Sequence, residues 1–137
     1  MLNVSDVFVS YGQSEALHGV SFTANANETV AIMGRNGMGK TTLFKSLIGI
    51  LPLKSGKIAV DGAEVSQDES YRRVAQGIAY VPQGRMIFPT LSVEENIKTG
   101  LENAKDKRIP EEIYALFPVL FDMRRRKGGN LSGGQQQ

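Results

Sequence analysis

The 137-residue chain contains no cysteine, which removes disulfides, thiolate metal sites and cysteine nucleophiles together and permits a reducing compartment. No apolar run approaches the roughly 18 to 20 residues that a membrane-spanning helix needs, so any membrane role is expected to be peripheral. The opening MLNVSDVFVSYG lacks a basic start, an apolar block and a small-residue cleavage site, and does not resemble a secretory signal. Charge of one sign is also scarce: 16 basic against 14 acidic residues leave a formal +2, so nucleic acid is not implied as a partner. Histidine occurs once, as His18 in ALHGV, and reads as a structural residue of a strand. Low-complexity tracts and blocks of like charge are missing too. The 41% hydrophobic and 22% charged content is that of a globular chain with the length of one ordinary domain.

The residues present alternate between strand and helix patterns. Leu2 to Val9 reads as a strand ending at the Tyr11-Gly12 breaker, and ALHGVSFTA and ETVAIM repeat that texture across the polar linker NANE, predicting a small antiparallel layer. Leu43, Phe44, Leu47, Ile48 and Leu51 fall at the spacing of one buried helical face that Pro52 ends. SGKIAVDG reads as a short strand, GIAYVPQ as a run apolar enough to lie inside a sheet, and DESYRRVA between them as a short helix. Ser92 with Glu95 makes a capping-box start for VEENIKTGL, and Pro110 opens a helical stretch through Phe117. The expectation is an α/β fold with two regions, residues 1–83 and 84–137, the second helical.

Between ETVAIM and the Leu43 helix lies GRNGMGKTT, Gly34 to Thr42, which satisfies the spacing of a Walker A phosphate loop. Backbone N–H groups must turn inward around β- and γ-phosphates, which calls for positive-φ geometry and close approach; Gly34, Gly37 and Gly39 supply it, with Arg35, Asn36 and Met38 between them. Lys40 reaches the β/γ oxygens as a point charge. Thr41 opens a helix whose dipole faces the anion and whose hydroxyl is able to ligate Mg²⁺, and Thr42 is placed for a further phosphate contact. The loop alone leaves GTPases, kinases, helicases and motors open.

LSGGQ at Leu131 to Gln135 narrows the choice. With the phosphate loop it resembles the nucleotide-binding subunit of ATP-binding cassette (ABC) transporters, a P-loop NTPase fold with an antiparallel β-subdomain and a helical subdomain. The resemblance implies that Tyr11 is the aromatic residue that stacks on adenine, that Gln83 is the Q-loop glutamine directed at Mg²⁺ and the attacking water, and that Ser132, Gly133, Gly134 and Gln135 are the signature serving ATP held by an opposite subunit. Lys40 and Gln83 are then the residues expected to act on the reaction, Thr41 and Gln83 those facing the metal, and ATP and Mg²⁺ the cofactors. A second ATPase subunit, as homo- or heterodimer, and membrane-spanning permease subunits are the implied partners, placing the protein peripherally on the cytoplasmic face of the inner membrane. GRNGMGKTT, YVPQGRMIFPTLSVEENI and LFPVLF before RRRKGGNLSGG are most similar to the branched-chain amino acid and urea uptake group, and Gln83 with GRMIFPT to its urea type.

The family's Asp-Glu strand and histidine loop follow the signature, and these 137 residues contain neither. The expectation is therefore a truncated subunit with part of its core sheet missing, binding nucleotide weakly and not hydrolysing it. The strands expected before the phosphate loop and before Gln83 would lack the neighbours between them. A non-transport ABC ATPase of the DNA-repair type is the alternative, weakened by the short interval from Gln83 to Leu131, which has no sustained heptad. A binding-only fragment is the other. Arg124 to Lys127 reads as a solvated helix end, and Glu95 as a cap in preference to an acid-base catalyst, with Glu94 beside it given no role.

Overall fold

Residues 1–84, 86–102 and 104–137 are described by a computed structural model. They divide into two compact units, 1–80 and 81–137. In the first, β1 (Leu2–Tyr11) and β2 (Ser14–Ala24) form an antiparallel hairpin, β3 (Ser55–Val60) pairs antiparallel with the other edge of β1, and β4 (Ala63–Glu64) follows β3. The sheet order is β2-β1-β3-β4. Asp61 and Gly62 join β3 to β4 with φ of 48° and 85°, the doubly left-handed turn that matches strand twist.

β1 does not keep a strict two-residue alternation. Val4, Val7 and Val9 are all buried, and the odd step between Val4 and Val7 is taken up by a register shift against both neighbouring strands. Asp6 stands there at φ 47°, its N–H donating to Ser21 Oγ at 2.8 Å. Opposite it Gly56 is obligatory: a Cβ would meet the Asp6 carbonyl oxygen at 2.3 Å. This bulge turns a third valine inward, where Leu17, Ile58, Val65, Leu43 and Leu47 complete the core.

α1 (Lys40–Leu47) lies over that core through Leu43 and Leu47. Two expectations for it are corrected. Phe44 is 43% exposed, because an eight-residue helix buries one face, here Thr42, Leu43, Ser46 and Leu47, and Phe44 lies beside it. The helix also stops well before Pro52: Gly49 takes φ 82°, its N–H donating to Ser46 O at 3.2 Å and the Ile50 N–H to Lys45 O at 2.9 Å. That is a Schellman stop, set by glycine and not by proline. α2 (Ser70–Ala75) realises the short helix expected between the two later strands.

The segments ETVAIM (28–33) and GIAYVPQ (77–83) are not strands. A strand is sustained by a neighbour's N–H and C=O groups, and no strand among the described residues pairs with either segment. Ile32 and Ile78 still rest against the core, whereas Met33 is 89% exposed and Val81 69%. The sheet that forms is wholly antiparallel.

The second unit contains α3 (Val93–Thr99), α4 (Glu111–Leu116), α5 (Pro118–Asp122) and α6 (Gly133–Gln136), with a 3₁₀ turn at Gly128–Asn130. The stretch opened by Pro110 ends at Leu116 and not Phe117, because Phe117 leaves helical geometry at φ −130°, ψ 71° and Pro118 starts a separate helix. Tyr114 and Phe121 meet edge-to-face across α4 and α5 at 5.3 Å.

Candidate functional site

Gly34 to Lys40 forms an exposed loop running into α1. Met38 N–H closes a turn onto Arg35 O at 3.3 Å, and Leu43 N–H begins the helix ladder on Gly39 O at 2.8 Å. The left-handed demand falls on Gly37 and Gly39, at φ 84° and 83°, while Gly34 at 159° is nearly extended. Gly39 is doubly constrained, since a Cβ there would meet Leu17 Cδ2 at 2.7 Å and Ala16 O at 2.8 Å. The start of α1 is thus pressed onto β2 with no room for a side chain.

Lys40 folds back over its own loop. Its ammonium donates to Gly34 O at 2.7 Å and Arg35 O at 2.8 Å, which fixes a positive charge above the loop at the N-terminal end of α1, where the helix dipole is also positive. Charge, dipole and exposed backbone converge on a place suited to an anion. Thr41 is exposed on the first turn and Thr42 is buried beneath it. Tyr11, at the end of β1, shares a hydrogen bond of 3.3 Å between its hydroxyl and Thr42 Oγ1, and its side chain remains 51% exposed. Arg35, Asn36 and Met38 are exposed around the loop.

The donor set suits a hydrated magnesium ion. No cluster of three or more His, Asp or Glu that could cage a metal is present among the described residues. Mg²⁺ characteristically keeps several waters and takes one or two protein ligands plus phosphate oxygens, and Thr41 offers one hydroxyl at the start of α1.

In the second unit Gln83 and Gly84 form an exposed turn, with Gly84 at φ 91°. The signature residues lie at α6: Ser132 caps the helix, its N–H donating to Gln135 Oε1 at 3.0 Å, and Gly133 and Gly134 make the first turn. The approach to α6 is held from behind, as Gly128 N–H donates to Leu91 O at 2.8 Å and Gly129 N–H to Pro89 O at 3.0 Å. Gly128 packs so closely that a Cβ would meet Ile87 Cδ1 at 2.9 Å.

Two residues that organise these elements escaped the sequence reading. Asn96 in α3 acts as a backbone surrogate, accepting from Phe88 N–H at 2.8 Å and donating to Phe88 O at 3.0 Å and Ser92 O at 2.9 Å. Its only sequence cue is its place four residues after the Ser92 cap. Arg73 in α2 is 2% exposed, and burial lowers its pKa from the ordinary arginine value. A basic residue in RRVA reads as solvated; nothing local marks it as buried.

A glycine loop that passes into a helix under a loop-bound lysine is the local architecture of the P-loop class. The model of the ABC transporter family matches residues 17–137, and the chain belongs to that family. It is 34% identical to the probable branched-chain amino acid transport ATP-binding protein LivF of Archaeoglobus fulgidus over the whole of this chain and 59% of that protein. It is 36% identical to the high-affinity branched-chain amino acid transport ATP-binding protein BraG of Pseudomonas aeruginosa over the whole of this chain and 60% of that one. The lipopolysaccharide export system ATP-binding protein LptB of Haemophilus influenzae is 34% identical over the whole chain and 59% of its own length. The chain therefore spans about six-tenths of these relatives. Among solved structures, a nucleotide-free ATP-binding cassette from an ABC transporter superposes with a TM-score of 0.80 at 26% identity, covering 99% of this chain and 60% of that one. A dimeric post-hydrolysis cassette bound to ADP and Pi, MJ0796, shares the fold at a TM-score of 0.81 and 24% identity, over 99% and 65% of the two chains.

Proposed function

We propose that this chain is the part of an ABC transporter ATPase subunit that grips the nucleotide, and that the whole protein hydrolyses ATP to power uptake of a branched-chain amino acid or urea. The observation that carries the reading is Lys40, held over Gly34 and Arg35 at the start of α1. In that place an ammonium neutralises β- and γ-phosphate charge, and the loop N–H groups supply directional donors. The exposed face of Tyr11 takes the adenine, and its bond to Thr42 ties the base-binding residue to the phosphate helix. Thr41 and Gln83 are the residues that would hold Mg²⁺, whose charge would offset that of the phosphate oxygens.

Ser132 to Gln135 serve the nucleotide of a second subunit, so the working form is a dimer docked on permease subunits at the cytoplasmic face of the membrane. The dimeric cassette among the structural neighbours supports that assembly. The named relatives favour a branched-chain amino acid as the solute, while Gln83 with GRMIFPT favours urea. The division of labour places residues 1–83 in the sheet and phosphate-loop part and 84–137 in the helical part. These 137 residues by themselves bind nucleotide weakly and turn it over little, because those matching the family's site are the gripping ones.

Calorimetry with Mg-ATP tests the site. Wild-type chain should bind saturably, and Lys40→Ala should weaken binding by at least about tenfold, the cost of one lost charge-assisted contact of about 1.5–3 kcal/mol. Absence of saturable binding in the wild type, or equal affinity in Lys40→Ala, would overturn the reading.

A further inference from the structure

Arg73 is a buried cation, and among the described residues no carboxylate is bonded to its guanidinium. Its donors go to four backbone carbonyls: Nη1 to Ser46 O at 2.7 Å and Leu47 O at 2.9 Å, Nη2 to Ser66 O at 2.9 Å, and Nε to Asp68 O at 2.9 Å. Ser46 and Leu47 belong to the last turn of α1, where carbonyls lack the full helical ladder, the Ser46 oxygen accepting from Gly49 N–H at 3.2 Å within the Schellman stop, and the dipole is negative. The guanidinium therefore caps the far end of the helix whose near end carries Lys40 and the phosphate loop. The two ends are separated by about 12 Å of helix.

The loop itself is held mainly by its own bonds, Met38 to Arg35 and Lys40 to Gly34 and Arg35. Its place on the sheet thus follows from where α1 sits. Leu43 and Leu47 fix that helix against the core, but apolar contacts are non-directional and leave sliding and rotation along the helix axis weakly opposed. Beside the Tyr11–Thr42 bond at the near end of α1, Arg73 supplies the directional restraint at its far end, and Gly49 makes room for it: a Cβ on Gly49 would meet Arg73 Nε at 2.8 Å. Removing the guanidinium would strip four carbonyls of this donor at once, two of them at the end of α1.

We propose that Arg73 is a positioning residue of the phosphate loop, setting the axial place of α1 by binding the carbonyls of Ser46 and Leu47 and so setting how the loop amides and Lys40 meet a nucleotide's phosphate tail. The inference rests on the nucleotide-site reading above. Its consequence is a selective one: loosening Arg73 harms recognition of phosphates more than recognition of the base.

The test compares wild type with Arg73→Lys, which keeps the charge but loses the fork, Arg73→Met, which keeps the volume, and Gly49→Ala, which crowds the native arginine. Amide hydrogen exchange is read at residues 36–43 and in β1 and β3, and dissociation constants are measured for fluorescent ATP and AMP analogues. Expected in Arg73→Lys and Gly49→Ala is faster exchange at 36–43 with unchanged protection in β1 and β3, and an ATP affinity lowered about tenfold, as for a catalytic group displaced by a fraction of an ångström, against less than about twofold for AMP. Arg73→Met should give the larger effect; if it fails to fold, the other two variants decide. Exchange that rises equally in loop and strands, or ATP and AMP affinities that fall in parallel, overturns the inference and leaves the nucleotide site standing. Failure of the wild type to bind ATP overturns both.

Discussion

Lys40 and Gly39 sit side by side, and the sequence motif that includes both explains the first more fully than the second. The lysine is fixed by motif spacing; the glycine is fixed by a steric demand that only the fold displays, the approach of Ala16 O and Leu17 Cδ2. Gly39→Ala should therefore destabilise the unit by about 1–3 kcal/mol from left-handed strain alone, with displacement of α1 from β2 in addition. Chemical denaturation measures the first, and loss of Mg-ATP binding the second. Gly37→Ala is the control: its φ of 84° brings the strain, but no atom lies within 4 Å of a new Cβ, so it should cost stability without shifting the helix. Phe44 shows the opposite case, an apolar residue whose burial the periodicity predicted and whose place on the shoulder of a short helix left it 43% exposed.

Element by element, the helix starts were easier to read than the strands. α3 begins where the capping box predicted, with Ser92 N–H donating to Glu95 Oε2 at 2.7 Å and Glu95 N–H to Ser92 Oγ at 3.2 Å, because a cap is a local matter settled within four residues. Ser92→Ala should cost about 0.5–2 kcal/mol, visible as a lowered thermal midpoint. The Ser92 N–H and then its hydroxyl hold the Glu95 carboxyl below its ordinary value of 4.5, and Lys98 does the same for Glu94. A carboxyl whose pKa is depressed by folding stabilises the fold fully above its unfolded value and loses that contribution as pH falls through the folded one. Stability should accordingly decline as pH drops below about 4.5, and Glu95→Gln should flatten part of that decline. An unaltered pH profile in Glu95→Gln would show that the cap is not formed in solution. The strand expectations at 28–33 and 77–83 failed because apolar composition makes a segment suitable for a sheet without supplying the hydrogen-bonding neighbour that makes it a strand.

At the scale of the whole molecule, apolar side chains stand in water both in the unpaired 28–33 segment and outside it. Val30, Met33 and Met38 are 38%, 89% and 68% exposed in the first unit, and Leu116, Phe117 and Phe121 are 71%, 55% and 48% exposed in the second. Exposed apolar residues on this scale favour association. The chain should bind a hydrophobic dye such as ANS and associate as its concentration rises, and Met33→Lys should reduce both while leaving circular dichroism unchanged. Equal dye binding by the variant would assign the exposed surface to the helical unit instead.

The sequence by itself determined the chemistry: the order of glycines and lysine at Gly34 to Lys40, the LSGGQ signature, the Ser92 cap and the Asp61-Gly62 turn are local patterns whose consequences are complete within a few residues. Tertiary structure alone decided which groups those patterns meet. It inserted the β1 bulge that turns Val7 inward, buried Arg73 against four carbonyls, and made Asn96 a stand-in for backbone at Phe88. The physical reason is range. Backbone conformation and capping are settled between near neighbours, whereas burial and the satisfaction of buried polar groups depend on partners tens of residues away.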